Sequence, residues 1–406
     1  MTINAHKWQF STRIRRNAFG WKSDTPIQRI KEALTEIKQV ARKEPVLAAE
    51  GAVILLEKLS PALEQVDSSS GALGSAVNRA IESLAPIISK PKVDHKLRQR
   101  RLERLWQAIQ DDGIPYLENL GDFWGELCAT PSIASAWADE FMPVVEQVWS
   151  IQSSGHGYFK GTTACLSALY AARRYDELLG LLEKARYQWW GDRRWGVKAL
   201  VAQGKHAEAL HYAEDSKGLN APLPLISKAC EEILLSLGRM DEAYARYALD
   251  ANQSTTNLAT FRAIAKKYPH KPAEGILRDL VASHPGTEGK WFAAAKDAGL
   301  IEFAIELTTL APTDIRTLIR AAKDFAGKHP DFALSSGMAA LRWIAKGECY
   351  EITGADVLEA YSAVMQAAAA AGNSEEQVKE DIRQLFLPSE VNGSFMAKIL
   401  KYQLSC

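Results

Sequence analysis

The sequence predicts an all-α chain, an irregular TPR-like α-solenoid of stacked helical hairpins. Three segments share one pattern: a helix closes on a small or basic pair, and an acidic, Ala/Leu-rich helix follows. Their aligned turn positions, Arg173, Gly204 and Gly238, are 31 and then 34 residues apart. A hairpin of that length cannot bury its apolar face alone and stacks on its neighbours. No run of alternating β-branched residues predicts a strand.

A basic arm, residues 1–24, precedes an N-terminal helical region, 25–153. Apolar residues at helical spacing, with Pro and Gly at the ends, predict each element of that region. The first helix opens at Thr25, where Thr25 and Gln28 form the pattern of a capping box. The following helices are expected at residues 46–59 (ended by Pro61), 73–89, 93–110, 114–128 and 131–152.

The segment Ser153-Ser-Gly-His-Gly has the composition of a linker, and we expect a domain boundary there. The hairpin array is predicted to cover residues 158–372, with helix ends at Gly204, Gly238 and Gly299. A long Ala-rich helix opens at Thr353 and ends at Gly372. Residues 373–406 are expected to form C-terminal capping helices.

Charge is distributed unevenly along a chain whose 49 basic and 49 acidic side chains cancel. Residues 1–104 hold 19 basic and 11 acidic side chains, whereas residues 105–159 hold 8 acidic ones and no Lys or Arg. The remainder is balanced. A basic segment is therefore followed directly by an acidic one.

The basic helix around residues 92–106 is a candidate nucleic-acid interface. Phosphate contacts would come from Lys96, Arg98, Arg100, Arg101 and Arg104. Alternatively, the arginines face carboxylates of the next segment within the fold, or form a plain solvated face. The carboxylates in question are Asp111, Asp112, Glu118, Asp122 and Glu126.

The turn at residues 186–195, Arg-Tyr-Gln-Trp-Trp-Gly-Asp-Arg-Arg-Trp, is the densest patch of aromatic and guanidinium groups. Trp and Arg dominate binding hot spots, and alternating rings and guanidinium groups also suit stacked nucleobases. The candidate binding surface consists of Tyr187, Trp189, Trp190, Arg193, Arg194 and Trp195. The alternative is structural, because large side chains at this turn also fill the space between adjacent repeats.

Three sequence segments, which begin at Lys290, Arg316 and Glu351, resemble segments of a family of uncharacterised bacterial helical-repeat proteins. They read Lys-Trp-Phe-Ala-Ala-Ala-Lys-Asp-Ala-Gly-Leu, Arg-Thr-Leu-Ile-Arg-Ala-Ala-Lys-Asp-Phe and Glu-Ile-Thr-Gly-Ala-Asp-Val-Leu-Glu-Ala-Tyr. The resemblance covers about residues 160–372 and implies a helical-repeat fold in a cytosolic setting. Some members carry a SWIM-type zinc finger, whose C-x-C and C-x-H pairs are absent here.

One motif is similar to a catalytic motif, that of the HEPN-class helical ribonucleases. Arg278 is followed by a polar residue and, six positions on, by His284. In those enzymes the pair provides a phosphate clamp and a general acid/base. The alternative is a chance match, with His284 placed at a helix end beside Pro285 for structural reasons.

The remaining motifs favour a non-catalytic protein. The chain has no metalloprotease, P-loop or nucleophile-elbow motif, and no cofactor or metal is predicted. Its five cysteines are scattered, which is typical of thiols in a reducing compartment, and no stretch is long and apolar enough for a membrane span. The sequence therefore predicts a cytoplasmic scaffold for a protein partner, with nucleic-acid binding and HEPN-like ribonuclease activity as alternatives.

Overall fold

The structure, a computed structural model, describes residues 6–150, 158–218, 221–348, 351–385 and 392–404. These residues form 22 α-helices and two short 3-10 helices, and no strand occurs among them. The chain divides into two compact units, the N-terminal unit (Met1–Pro222) and the C-terminal unit (Leu223–Cys406). The linker expected at residues 153–157 lies outside the described residues. None of the helices formed by the described residues is both long and apolar enough to span a membrane.

The N-terminal unit holds eleven α-helices and one 3-10 helix in its described residues. They are α1 (Phe10–Arg13), α2 (Asp24–Ala41), α3 (Pro45–Leu63), α4 (Ala72–Ser89), α5 (His95–Gln110), the 3-10 helix Glu118–Phe123, α6 (Trp124–Cys128), α7 (Pro131–Trp149), α8 (Thr162–Ala171), α9 (Tyr175–Glu183), α10 (Trp190–Ala202) and α11 (His206–Glu214).

The C-terminal unit is built in the same way over its described residues. Its helices are α12 (Leu223–Ser236), α13 (Met240–Ala251), α14 (Asn257–Lys267), α15 (Ala273–Ala282), the 3-10 helix Glu288–Trp291, α16 (Phe292–Asp297), α17 (Ile301–Leu310), α18 (Ile315–Phe325), α19 (Pro330–Lys346), α20 (Gly354–Ala371), α21 (Glu375–Gln384) and α22 (Asn392–Leu404).

The helices stack in the way that repeated hairpins require. In the N-terminal unit α8 contacts both α9 and α10, and α10 contacts α11. In the C-terminal unit α18 contacts α19 and α20, and α17 contacts α19. In these parts of the two units a helix packs against its successor, against the helix after that, or against both, so neighbouring hairpins bury each other's apolar faces. The predicted fold class, an all-α array of stacked helical hairpins, is confirmed.

The three aligned turns have one backbone conformation. Arg173, Gly204 and Gly238 have φ angles of 62°, 77° and 71°, in the left-handed region that glycine favours. In each turn the next residue donates its N–H back into the preceding helix, as Lys205 does to the Leu200 carbonyl at 2.9 Å. This is the Schellman arrangement, which satisfies carbonyls at a helix end. Gly299 repeats it between α16 and α17.

Three predicted elements differ from the structure. Helix α2 begins at Asp24 without the expected capping hydrogen bond at Thr25. Helix α3 continues through Pro61 to Leu63, because a proline in the last turn removes little of the helix's hydrogen bonding. The single helix expected over 114–128 is a 3-10 helix followed by the short helix α6. By contrast, α20 has the full capping box of Thr353 and Asp356 and ends at Gly372, as predicted.

An aromatic cluster forms the part of the core that positions the candidate site. Trp106, Trp124, Trp137 and Phe141 come from α5, α6 and α7, with ring centroids 4.8–6.2 Å apart among the contacting pairs. Phe159 joins them from the segment before α8, 5.7 Å from Trp106 and 5.9 Å from Phe141. Edge-to-face and tilted pairs of this kind hold the rings in fixed orientations. The loop before α8 is therefore anchored to the core.

The cysteines described by the structure are buried. Cys128 and Cys165 lie in the core of the N-terminal unit, and burial raises the pKa of both thiols to about 12. A thiol with so high a pKa carries almost no thiolate at neutral pH and is a poor nucleophile. Cys230 is also buried. Cys349 and Cys406 lie outside the described residues.

Candidate functional site

The turn at residues 186–195, which we call the Trp/Arg turn, consists of a buried half and an exposed half. Trp190 and Trp195 retain only 8% and 4% of their accessible surface and pack into the N-terminal unit. Tyr187 and Trp189 are 51% and 60% exposed, with ring centroids 6.1 Å apart. Both interpretations of the turn therefore apply, each to different residues. Trp190 and Trp195 fill the space between helices, whereas Tyr187 and Trp189 are available to a partner.

Two of the three arginines of the turn, Arg193 and Arg194, are engaged within the unit. Arg193 donates hydrogen bonds to the Ser216 hydroxyl (2.6 Å) and the Tyr212 carbonyl (3.0 Å), and its guanidinium stacks 3.8 Å from the Tyr212 ring centroid. Arg194 pairs with Asp122 of the 3-10 helix. These contacts fix α10 against α11 and against the 3-10 helix. The arginines thus position the turn, and its exposed surface is mainly aromatic.

The exposed half of the turn borders a cavity of about 450 Å³, which we call the aromatic cleft. Five aromatic side chains from three parts of the unit line it: Trp149, Tyr158, Phe159, Tyr187 and Trp189. Trp149 ends α7, Tyr158 and Phe159 precede α8, and the other two precede α10. The volume is within the range of clefts that hold small molecules or single side chains of a partner.

Two carboxylates give the aromatic cleft its polarity. Asp192, in the first turn of α10, is half-buried, and its carboxylate has no hydrogen-bond or ion-pair partner among the described residues. Burial raises its pKa to about 6, with the charge of Asp122 adding to the shift and that of Arg194 opposing it. Glu118 also lines the cleft, and burial together with the nearby Glu118 carboxylate raises the pKa of the Tyr158 hydroxyl.

Two cations also line the cleft, and their charges are used differently. The Lys160 ammonium donates to the carbonyls of Ile109 (3.1 Å), Gln110 (3.1 Å) and Asp112 (2.6 Å), so it caps the C-terminal end of α5. Arg186 is exposed at the rim, with its guanidinium 5.4 Å from the Tyr187 ring centroid. Lys160 is therefore part of the structure, whereas Arg186 lies at the entrance.

A second cavity continues from the aromatic cleft, with Glu118, Tyr158 and Lys160 common to both. This acidic extension has a volume of about 560 Å³ and is also lined by Asp111 and Asp112. Asp112 is only 3% exposed; its Oδ2 accepts a hydrogen bond from the Leu117 amide at 2.7 Å. Its Oδ1 is buried and has no hydrogen-bond partner in the described part of the chain. An unsatisfied buried carboxylate oxygen costs free energy of folding.

The basic helix α5 uses most of its guanidinium groups inside the fold. Arg98 is 4% exposed and donates to the carbonyls of Ile88, Ser89 and Pro91 at 2.6–2.9 Å. Arg101 is fully buried and donates to the Val46 carbonyl at 2.8 Å and to Glu50 at 3.3 Å.

Arg104 pairs with Glu57 and Glu50 of α3. Arg98, Arg101 and Arg104 are thus engaged within the fold. Their partners are carboxylates of α3 and backbone carbonyls, and not the carboxylates of the acidic segment 111–126. Burial places Arg98 and Arg101 out of reach of a phosphate backbone.

Lys96 and Arg100 are the two candidate phosphate contacts of α5 that remain exposed. The sequence spacing also indicates which basic residues of α5 are buried. Arg98 and Arg101 each precede a buried leucine, Leu102 and Leu105, by four residues, which places them on the buried face of the helix. Nucleic-acid binding through residues 92–104 stays a prediction, with Lys96 and Arg100 as its accessible residues.

Arg278 and His284 have different surroundings in the C-terminal unit. Arg278, on α15, donates to Glu274 one turn earlier and lies 4.5 Å from the ring centroid of Phe303. His284 lies beyond the end of α15, where it contacts the Ser283 hydroxyl at 2.8 Å and the Trp291 ring. Each side chain is engaged by its own neighbours. A ribonuclease would need the imidazole and the guanidinium to converge on one phosphate.

Sequence reasoning missed most residues of the aromatic cleft. Asp192 stands in the sequence only as one residue of the segment 186–195, and no sequence pattern distinguishes Trp149, Tyr158 or Phe159. Two sequence signals point to the cleft: the segment 186–195, which supplies Tyr187 and Trp189, and the acidic segment 105–159, which contains no Lys or Arg. Its position beside the Trp/Arg turn depends on packing between residues some 70 positions apart, such as Asp122 and Arg194.

Comparison with solved structures finds a similarity between this chain and a chain of a known complex. The structure described as the crystal structure of APC/C hetero-tetramer Cut9-Hcn1 contains a chain that is 14% identical to this one. The alignment covers 92% of this chain and 73% of that chain, with a TM-score of 0.24. No protein-family model and no curated protein matches the sequence.

Proposed function

We propose that the chain is a non-catalytic helical-repeat scaffold that binds a protein partner through the aromatic cleft of its N-terminal unit. The observation that carries the proposal is the exposure of Tyr158, Tyr187 and Trp189, at 67%, 51% and 60%, around one cavity of about 450 Å³. Rigid aromatic side chains beside a pocket are the usual anchors of protein interfaces.

Contacts within the N-terminal unit hold the backbone around the aromatic cleft in place, which favours recognition of a specific partner. Phe159 belongs to the aromatic cluster of the core, and Arg194 joins α10 to the 3-10 helix through Asp122. The side chains that line the cleft therefore lie on anchored backbone, and little conformational entropy is lost when a partner binds. The cytoplasmic setting belongs to the same proposal, and the protonated, buried thiols of Cys128 and Cys165 support it.

The proposal is tested with two matched tryptophan variants. Trp189 and Trp21 both belong to the N-terminal unit and are 60% and 71% exposed, but only Trp189 lines the cleft. Peptides selected from a displayed random library on the full-length chain are measured by biolayer interferometry. We expect Trp189→Ala to weaken the selected peptides about tenfold or more, the effect of losing a hot-spot side chain. Trp21→Ala should leave their affinity unchanged.

The opposite pattern would refute the proposed site. If the selected peptides bind Trp189→Ala and Tyr187→Ala as tightly as the wild type, the cleft is not where a partner docks. If the full-length chain selects no peptide at all, the cleft does not recognise polypeptide.

A further inference from the structure

We infer that the occupant of the aromatic cleft is a basic segment of the partner, one Arg or Lys side chain of which enters between the rings toward Asp192 and Glu118. The inference rests on the proposed function and specifies the chemistry of the partner. Three independent features of the N-terminal unit support it: the unpaired carboxylate of Asp192, the aromatic walls, and the acidic extension of the cavity.

The first feature is a carboxylate that lacks a counter-charge. Asp192 is half-buried and lines the cleft, and its carboxylate has neither a hydrogen bond nor an ion pair within the described residues. Removing a carboxylate from water without a partner is unfavourable, and the pKa of Asp192 rises for that reason. A guanidinium or ammonium group from a partner would supply the missing charge and hydrogen bonds.

The second feature is the aromatic composition of the cleft walls. The faces of Trp and Tyr rings attract cations, and the attraction grows where water is excluded. Trp189, Tyr187 and Trp149 supply such rings around Asp192 and Glu118. The rim already shows the contact, since Arg186 of the chain itself lies over Tyr187 at 5.4 Å. A purely apolar occupant would satisfy the rings but would leave the Asp192 carboxylate desolvated and unpaired.

The third feature is the acidic extension, which gives a segment room to continue. The exposed Asp111 carboxylate lines it, together with the buried Asp112. The extension shares the wall of Glu118 and Tyr158 with the cleft. A second basic side chain, or a backbone N–H of the same segment, would have an acceptor here. An acidic segment would meet the carboxylates of Asp111 and Glu118 here and that of Asp192 in the cleft.

The charges around Asp192 set the expected pH dependence. Arg194 and Asp122 act on it most strongly, and Tyr212 of α11 is coupled to it. Glu118, Tyr158, Lys160 and Arg186 line the same cleft. Lys160 is held by three carbonyls and Arg194 by Asp122, so neither is free to neutralise Asp192. A cation therefore binds best to the ionised carboxylate, and binding should weaken as the pH falls through about 6.

The test uses three blocked peptides that differ only in charge: Gly-Ser-Arg-Gly-Arg-Ser-Gly and its counterparts with Gln or Glu in place of Arg. Calorimetric titration of the full-length chain should show saturable binding of the Arg peptide, about tenfold or more tighter than the Gln peptide. The Glu peptide should not bind. Asp192→Asn and Glu118→Gln should each weaken the Arg peptide several-fold, and Asp192→Asn should remove the pH dependence near 6. Glu103→Gln, an exposed carboxylate of α5 outside the cleft, is the matched control.

The outcomes separate this inference from the proposed function. If the Gln or Glu peptide binds as tightly as the Arg peptide and Trp189→Ala weakens it, partner docking at the cleft stands and the basic occupant is wrong. The inference of a basic occupant is also wrong if binding of the Arg peptide does not saturate. It is wrong as well if the folded variants Asp192→Asn and Glu118→Gln bind the Arg peptide as tightly as the wild type does. If Trp189→Ala affects no peptide, selected or synthetic, the proposed function fails as well.

Discussion

Arg104 of α5 donates two parallel hydrogen bonds to Glu57 of α3, with Nε···Oε1 and Nη2···Oε2 distances of 2.7 and 2.6 Å. It also pairs with Glu50, which Arg101 contacts from the other side. A bidentate guanidinium-carboxylate pair is both directional and strong. The helix that looked most like a nucleic-acid interface is therefore bonded to its own neighbour within the fold.

Replacing Arg104 with methionine should lower the free energy of unfolding by about 1–3 kcal/mol, because Glu57 would lose its partner and Glu50 would lose one of its two. The exposed residue Arg100 on the same helix is the control, and Arg100→Met should change stability by less than about 0.5 kcal/mol. Urea denaturation followed by circular dichroism gives both values. Equal effects of the two substitutions would show that the Arg104 pair adds nothing to stability.

The aligned turns predict opposite effects of glycine at two equivalent positions. Arg173 has φ 62°, where a side chain is strained, so Arg173→Gly should raise stability by up to about 1 kcal/mol. Gly204 has φ 77°, and Gly204→Ala should lower stability by about 1 kcal/mol. Gly180, inside α9 with open space around it, is the control. Gly180→Ala should be stabilising, and a loss there comparable to that at Gly204 would contradict the explanation from φ.

Glu231 forms a buried polar network in the C-terminal unit. It is fully buried on α12 and accepts hydrogen bonds from Asn252 (2.7 Å), Lys267 (2.7 Å) and Tyr268 (2.6 Å). Glu231→Leu should cost about 3–5 kcal/mol, since it leaves the Lys267 ammonium without its carboxylate. Tyr268→Phe removes one hydrogen bond and should cost about 1–2 kcal/mol. Thermal and urea unfolding measure both, and a Glu231→Leu variant as stable as the wild type would exclude a stabilising network.

Asp192 should reduce stability at neutral pH. Its folded pKa of about 6 lies above its ordinary value of 3.8, so the folded state binds the proton more tightly than the unfolded state. The stabilisation from that proton is complete below about pH 4 and is lost as the pH rises through about 6. Asp192→Asn should therefore be more stable than the wild type at pH 7.5, by about 1–2 kcal/mol after allowance for its partial exposure.

The same variant should show no advantage at pH 4, which makes the pH series its own control. Thermal melts of the wild type and Asp192→Asn at half-unit steps between pH 4 and 7.5 measure the difference. A difference that stays constant with pH would mean that Asp192 titrates normally. A carboxylate that costs stability but is needed for ligand binding is the pattern expected of a binding residue.

The sequence by itself determined the local structure of this protein. The Schellman turns at Arg173, Gly204 and Gly238 and the capped helix Thr353 to Gly372 were predictable, because their dihedral angles and hydrogen bonds involve residues only a few positions apart. Helical periodicity and the repeated turns were likewise sufficient for the all-α hairpin array.

Only the tertiary structure decided which side chains are free to act. Trp189 and Trp190 are adjacent in sequence, but one is exposed and the other buried. Arg101 is paired with Glu50, and the Asp192 carboxylate lacks a partner because Arg194 is bound to Asp122. Such outcomes depend on contacts between residues 50 or more positions apart, where burial removes water and the nearest opposite charge decides the energy. Composition and spacing do not encode those distances, so the aromatic cleft became visible only in the folded chain.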